Sequence, residues 1–191
     1  VYILAKEGVG SIKAKGDLDL PRMAYKVNVN AHNLQLHHFL PNYGLSPFSG
    51  TLTAQGCGTE VFSPRTRLSA KARIERFHYA GYDMSGVKAD ANIANGNINA
   101  NLDSHTQLLD GNISLAALMS KKIMRGTVAC DLRQADLYRL KVVSKPLAAS
   151  LCAHIDVDSD LKQSHKVNAF VSSIVLKDNK QYYHPQDLSL D

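Results

Sequence analysis

The chain has 191 residues, enough for one large domain or for several small repeats that share a core. Hydrophobic residues make up 45% of the sequence and charged residues 20%, a balance that excludes a disordered chain of low hydrophobicity. The net charge of +5 comes from scattered Lys and Arg without interleaved aromatic residues, so the composition favours a solvated surface and predicts no nucleic-acid partner.

The first half of the chain alternates apolar and polar residues, and this period of two predicts β-strands with one buried face. The sequence also begins within such a pattern and lacks an initiator Met, so we expect it to be a piece of a longer protein. The alternating apolar positions are Ile12/Ala14, Leu18/Leu20, Tyr25/Val27/Val29/Ala31, Leu52/Ala54/Gly56, Leu68/Ala70/Ala72/Ile74 and Val87/Ala89/Ala91/Ile93.

The second half continues the same alternation, and no apolar run approaches the ~20 residues that a membrane-spanning helix needs. The pattern as a whole predicts an all-β fold. Its apolar positions are Ile98/Ala100/Leu102, Ile113/Leu115, Val128/Cys130/Leu132, Leu147/Ala149/Leu151/Ala153/Ile155/Val157 and Val167/Ala169/Val171.

Two Gly-containing dipeptides between alternating segments predict tight hairpin turns. Asn95-Gly96 is the stronger signal, because both residue types tolerate positive φ, and Asp110-Gly111 repeats it. These turns favour antiparallel neighbours over the βαβ units of an α/β fold.

Helical patterns are confined to two short segments, near residues 33–40 and 136–143. Each begins at a candidate N-cap, Asn33 or Asp136, and each ends before a proline. We predict one or two helical turns at each place.

The two halves also resemble each other, and internal repeats bear directly on the fold. The alternation slips by one residue between Ile74 and Phe77 and again between Val171 and Ile174, which predicts a β-bulge in each half. We therefore predict two tandem β-repeat units, residues 8–95 and 98–191, that form one continuous domain. The matching segments are Tyr25/Val27/Val29 with Val128/Cys130/Leu132 (offset 103), Leu52/Ala54 with Leu151/Ala153 (offset 99) and Ala70/Ala72/Ile74 with Val167/Ala169/Val171 (offset 97).

No pattern typical of catalysis, phosphate binding or a metal centre occurs in the sequence. The three cysteines are too widely spaced for a zinc CxxC pair, and the alternation places Cys130 inward and Cys57 and Cys152 outward. The closest histidines, at positions 32, 37 and 38, lack the HExxH spacing. We predict that the chain is not an enzyme and uses no cofactor or metal.

Two groups of polar residues leave alternatives open. Asp156, Asp158 and Asp160 alternate on an outward strand face, where solvation is favoured over a weak cation site. Tyrosines 79, 82, 182 and 183 follow the predicted bulges, and strand-end packing is favoured there over the rim of a binding cleft.

Four segments carry a resemblance to a known family. Together they resemble the periplasmic β-repeat region of the TamB-type translocation and assembly module proteins, in the form found in Bacteroidota. The resemblance extends over nearly all of the chain, and it groups the chain with the AsmA-like, bridge-type lipid carriers. The segments are VKADANIANGNINANLDS (87–104), GTVACDLRQADLYRL (126–140), ASLCAHIDVDSDL (149–161) and IVLKDNKQYYHPQDLSLD (174–191).

The resemblance implies an elongated, solenoid-like sheet folded into a U-shaped trough, or β-taco, with an apolar groove. It implies a periplasmic location, with an inner-membrane anchor outside this chain and an outer-membrane barrel of the TamA/BamA type as a partner of the full-length protein. The implied function is phospholipid transport between the inner and outer membranes, together with support of outer-membrane protein assembly.

Small inward residues fit such a groove. A five- or six-residue strand spans ~20 Å, more than the ~15 Å of one leaflet's acyl region. Burial of a sixteen-carbon tail contributes at most ~12 kcal/mol, at ~0.8 kcal/mol per methylene. We predict that phospholipid acyl chains contact Val87, Ala89, Ala91, Ile93, Ile98, Ala100, Leu102, Leu147, Ala149, Leu151, Ala153, Ile155 and Val157.

Three alternatives compete with the lipid groove. The alanines would also allow two sheet faces to pack closely in a filled, narrow β-sandwich. An interaction scaffold would assist outer-membrane protein or autotransporter biogenesis by adding strands to an exposed edge, without carrying lipid. A polysaccharide hydrolase would need paired carboxylates beside an open cleft, and it is the least favoured of the three.

Overall fold

The computed structural model of the chain describes residues 2–5, 10–38, 45–58, 63, 65–79 and 82–190. The fold is all-β, and helical structure in these residues is limited to a 3₁₀ turn at Leu36–His38. The chain divides into two compact units, Val1–Asn95 and Gly96–Asp191. The described residues include no helix long and apolar enough to cross a membrane.

The first unit contains an open antiparallel sheet with the strand order β1-β2-β3-β4-β5-β8. Each strand pairs with the next along the chain, except that β5 pairs with β8 past the small β6–β7 hairpin. The strands are β1 (Tyr2–Ala5), β2 (Ser11–Asp19), β3 (Ala24–Leu34), β4 (Phe48–Cys57), β5 (Arg67–Arg76), β6 (His78–Tyr79), β7 (Tyr82–Asp83) and β8 (Lys88–Ala94).

The second unit is also an open antiparallel sheet of sequential strands. One side of β13 pairs with β12, and its other side pairs with both β14 and β15. The strands are β9 (Asn97–His105), β10 (Leu109–Met119), β11 (Met124–Asp136), β12 (Ala148–Ser159), β13 (His165–Lys177), β14 (Tyr182–Tyr183) and β15 (Leu188–Leu190).

Strand register collects the alternating apolar residues of each unit on one face, because residues directly opposite in an antiparallel pair share a face. In the first unit one row across the sheet is Ala14, Val29, Leu52, Ala72 and Ala89. In the second unit a corresponding row is Ala100, Leu115, Val128, Ile155, Ala169 and Leu190.

The two predicted β-bulges are confirmed. The register of β5 shifts between Ile74 and Arg76 opposite β4, and that of β13 shifts between Ser172 and Val175 opposite β12. Ser173, the extra residue of β13, has a φ of 54°.

The Asn95-Gly96 prediction is confirmed at the level of backbone conformation, since the two residues have φ values of 54° and 78°. The predicted turn at Asp110-Gly111 is wrong: both residues lie inside β10, at a bulge opposite β11. The turn between β9 and β10 lies at residues 106–108, where the Thr106 hydroxyl and backbone bond to the backbone of Leu109.

The two predicted helical segments are strand ends followed by single turns. Asn33 is not an N-cap; it lies in β3 with a φ of 52°, at a bulge, and its N–H donates to Ser49 Oγ. Residues 39–40 of that segment lie outside the described residues. Asp136 does cap a turn, since its carboxylate accepts from Arg139 N–H, but a hydrogen-bonded turn and no helix follows.

Strand pairing agrees with two of the three offsets between the halves. Val27 pairs with Ala54, and their counterparts Cys130 and Ala153 also pair. The offset of 97 is wrong for the next strand: Ala54 pairs with Ala70, whereas Ala153 pairs with Val171 and not with Val167. That the two units are copies of one repeat stays a prediction.

Few apolar residues are fully buried, and these lie toward one end of the apolar face in each unit. Ala31 is buried in the first unit, near an edge-to-face pair of Phe48 and Phe77 with ring centroids 5.7 Å apart. In the second unit the buried apolar residues are Leu108, Ala135, Ala149 and Ile174. Each unit therefore has a small core at one end of a much larger apolar face.

Candidate functional site

The predicted lining residues of the first unit lie on the apolar face of its sheet. Ala89, Ala91 and Ile93 are half-buried and pair with Ala72, Ala70 and Leu68 of β5. Val87 precedes β8, and its carbonyl accepts a hydrogen bond of 2.9 Å from Ile74 N–H.

A cleft of about 680 Å³ continues from this face at the end of the first unit's sheet. Ile93 lines it together with Leu18, Tyr25 and Leu68, and Lys26 and Arg67 are among its charged residues. The size lies within the ~300–1,000 Å³ of small-molecule sites. An apolar surface with charged side chains at its margin is suited to bind an amphiphilic molecule.

The predicted lining residues of the second unit also share one face. Ile98, Ala100 and Leu102 of β9 pair with Ala117, Leu115 and Ile113 of β10. On β12, the predicted residues Leu151, Ala153, Ile155 and Val157 are half-buried, whereas their neighbours Cys152, His154, Asp156 and Asp158 are exposed.

Ala149 differs from the other predicted residues because it is only 4% exposed. It pairs with Ala135 on β11 and Leu176 on β13, in the small core of the second unit. Leu147 lies just before β12 and its carbonyl accepts from Tyr138 N–H. A ligand that lies on this face therefore reaches Ala153 more readily than Ala149.

Large apolar side chains on these faces remain accessible to solvent. Leu52 is 41% exposed at the centre of the first unit's sheet, and Leu188 is 60% exposed in the second. Among the described residues of each unit, extensive contacts between elements join only hydrogen-bonded neighbours. No second layer made of these residues covers either face.

The opposite face of the second unit has exposed polar contacts between neighbouring strands. Arg125 Nε lies 3.0 Å from Asp158 Oδ2, and the Thr127 hydroxyl donates to Asp156 Oδ1 at 2.6 Å. Asp160 accepts from three backbone N–H groups of the following turn, which lower its pKa. The three predicted outward carboxylates therefore serve strand pairing and a turn.

Within the part of the chain that the structure describes, a dense polar cluster surrounds Asp110 at the β10 bulge. Arg133 donates to both carboxylate oxygens, at 2.9 and 2.6 Å, and His105 Nδ1 lies 2.9 Å from Oδ1. The hydrogen bonds from Arg133 and then from His105 hold the pKa of Asp110 well below its usual range. This cluster is exposed and fixes the bulge across β9, β10 and β11.

Register places the cysteines on the predicted faces, but Cys57, opposite Arg67 on the outward face, is half-buried and not exposed. Cys130 is half-buried on the apolar face, where burial raises the pKa of its thiol, and Cys152 is exposed. All three cysteines are free. The described residues contain no group of three or more His, Cys, Asp or Glu side chains placed to hold a metal ion.

Further apolar residues share a face with the predicted lining residues of the second unit. Leu115 and Val128 lie in the same row as Ala100 and Ile155, and Ala117 lies beside Ile98. The alternation of β10 and β11 already contained this signal. Register extends the apolar face over every strand from β9 to β13.

Comparison of the chain with protein-family models, curated proteins and solved structures finds no match.

Proposed function

We propose that this chain carries phospholipid acyl chains on the apolar faces of its two sheets, as a periplasmic segment of a longer, inner-membrane-anchored protein of the TamB type. The function would be movement of phospholipid between the inner and outer membranes, in support of outer-membrane protein assembly, with a TamA/BamA-type barrel as the partner of the full-length protein. The groove would be the trough of a U-shaped sheet.

The observation that carries the proposal is the uncovered apolar face. Six strands about 4.8 Å apart and rows of side chains over about 20 Å give a face of about 500 Å² in each unit. Exposed apolar patches larger than a few hundred Å² are uncommon on soluble monomers and mark sites of interaction with proteins, membranes or ligands.

The chemistry of the faces favours a mobile apolar ligand over a fixed one. The side chains in these rows range in size from alanine to leucine. Rows such as that of Ala100 and Val128 contain no polar group that would hold a ligand at one position. Burial of each methylene contributes about 0.8 kcal/mol, so affinity grows with chain length without a unique binding pose.

Photo-crosslinking from single positions tests the proposal. A photoreactive amino acid at Ala91 or Ala153, on the apolar faces, should capture phospholipid in cells that produce the protein. The matched positions Asn92 and His154 are next in sequence but lie on the opposite faces and should capture none. Capture from Asn92 and His154 alone would contradict the proposal.

A second candidate function is a scaffold that receives nascent outer-membrane protein strands, and one observation favours it. The last strand, β15, pairs with only Ala169, Phe170 and Val171 of β13, so within the described residues part of the β13 edge has no backbone partner. An edge of this kind can accept an added strand.

Ala153→Asp separates the two functions. A carboxylate on the apolar face should abolish lipid capture, because burying an unpaired charge against an acyl chain is strongly unfavourable. Strand addition uses backbone groups at the edge and should continue in this variant. Undiminished lipid capture in this variant would count against lipid carriage on the apolar face, and lost strand addition would count against a scaffold that acts through the strand edge.

A further inference from the structure

A second cleft, of about 520 Å³, lies at the end of the second unit's sheet, where β11, β12 and β13 meet β14. It exists because β12 presents small side chains there. Ala148 lies in register between Asp136 on β11 and Lys177 on β13, and Ser150 also lines the cleft. Small residues between long ones leave a depression, and its size fits a small ligand.

Two tyrosines line this cleft from different elements. Tyr138 follows β11 and is 46% exposed, and Tyr182 lies on β14 and is 60% exposed. Lys177 Nζ lies 5.2 Å from the centroid of the Tyr182 ring, which limits the ring's freedom. An exposed aromatic ring with a polar hydroxyl offers an apolar plane and a hydrogen-bonding edge to one ligand.

The charge around the cleft is incompletely balanced. The carboxylate of Asp136 is engaged by Arg139 at 3.2 Å, and that of Asp178 accepts from Lys180 N–H, Gln181 N–H and the Tyr183 hydroxyl. Within the described part of the chain, Lys177 has no carboxylate partner. The cleft therefore presents a cation beside two aromatic rings.

We propose that this cleft binds an anionic sugar, a pyranose that carries a carboxylate or a phosphate. The apolar C–H face of the ring packs on Tyr182 and Tyr138, and the anionic substituent accepts hydrogen bonds from Lys177. Ser150 and Asn179 also line the cleft and supply hydroxyl and amide groups for the sugar hydroxyls. Leu147 and Ala149, two of the predicted lipid contacts, also line this cleft. The proposal does not depend on lipid carriage, because it rests on Lys177, Ser150 and the two tyrosines and not on the apolar rows.

Titration of the ¹⁵N-labelled chain, followed by NMR, tests the site with four probes: trigalacturonic acid, glucose 6-phosphate, neutral maltotriose and inorganic phosphate. We expect amide shifts at the cleft with one or both anionic sugars, and weaker effects with maltotriose and phosphate. The uronate and the sugar phosphate distinguish the two kinds of anion.

Substitutions assign the roles. Lys177→Gln should weaken binding of the anionic sugar about ten-fold or more, since a hydrogen bond to a charged group contributes ~1.5–3 kcal/mol. Tyr182→Ala should weaken it about three- to ten-fold by removing the stacking ring. Phe170→Ala is the control, because Phe170 is a similarly exposed aromatic residue, at 50%, that does not line the cleft.

Three outcomes would overturn the proposal. The first is an absence of cleft shifts with both anionic sugars. The second is equal affinity for inorganic phosphate and glucose 6-phosphate with no effect of Tyr182→Ala, which would identify an adventitious anion only. The third is equal affinity for maltotriose that Lys177→Gln leaves unchanged, which would remove the anionic requirement.

Discussion

Gly111 lies where the backbone of β11 approaches that of β10 closely. A Cβ built at this position would lie 2.2 Å from Asp131 O and 2.8 Å from Leu132 Cα. These contacts are with backbone atoms, which cannot rotate away as a side chain can. The bulge at Asp110 and Gly111 therefore requires glycine for reasons of space.

Gly111→Ala should destabilise the chain by about 2 kcal/mol or more, because the two strands must separate to admit the methyl group. Gly16→Ala is the control, since its nearest neighbouring atom would lie 3.6 Å away, at ordinary contact distance. That variant should change stability by less than about 1 kcal/mol. Urea denaturation measures both, and equal stability of the two variants would contradict the steric explanation.

Asp110 makes the stability of the fold depend on pH. Its pKa is lowered by the hydrogen bonds from Arg133 and then His105, so the stabilisation is fully present above the unfolded value of about 3.8 and is lost as the pH falls through the lower folded value. Arg133→Gln should flatten the decline in the urea midpoint between pH 5 and pH 2.5.

The size of this effect should be modest, because the pair is exposed to solvent and screened by salt. Repeating the pH series in 1 M NaCl should bring the wild-type curve toward that of Arg133→Gln. An identical decline in both proteins at low salt would show that the contact contributes nothing.

At the scale of elements, a β-bulge inserts one extra residue and so changes the face on which the following side chains of the strand lie. Ser173 and Asn33 both have positive φ at such bulges, and Ser173 N–H donates to Asp187 Oδ1. Positive φ is unfavourable for a residue with a Cβ and worst for a β-branched one.

Ser173→Val should destabilise the chain by about 1–2 kcal/mol, and Ser173→Gly should be neutral or slightly stabilising. The pair of variants separates backbone conformation from loss of the hydroxyl, which both substitutions remove. Thermal unfolding checks the order, and equal losses in the two variants would argue against a conformational cause.

The alternation predicted most strands and their inward residues because side-chain period and burial are local properties. The turn at Asp110-Gly111 was misassigned because the same dipeptide suits a hairpin and a bulge, and only the approach of Asp131 O decides between them. The offset of 97 predicted the wrong partner for β13, because strand register depends on the lengths of loops and bulges, which the alternation does not give. The burial of individual residues on the apolar face could not be predicted either, since Ala149 and Ala153 occupy equivalent positions in the alternation but differ in exposure.

At the scale of the whole molecule, the extent to which the apolar face is covered determines how much a charged residue on that face destabilises the fold. Ala149 and Ala153 lie on the same face of β12, one at 4% exposure in the small core and the other in the half-buried rows. They therefore provide an internal comparison of filled and open regions.

Ala149→Asp should lower the free energy of unfolding by more than about 3 kcal/mol, because an unpaired carboxylate would be buried. Ala153→Asp should lower it by about 1 kcal/mol or less, since water reaches that face. Urea denaturation of the purified chain distinguishes them. A large loss in both variants would indicate a filled interior and oppose lipid carriage.

The order of strand pairing has a consequence for how the protein is made. Among the described strands of each unit almost every strand pairs with its neighbour in the chain; the β5–β8 pair passes the two short strands β6 and β7, and the β13–β15 pair passes β14. Short loops close at low entropic cost, so a nascent chain can add each hairpin to the sheet already formed. During biosynthesis from the N-terminus, only the most recently synthesised strand would then be unpaired. This limits the time during which the apolar segments of the nascent chain can aggregate.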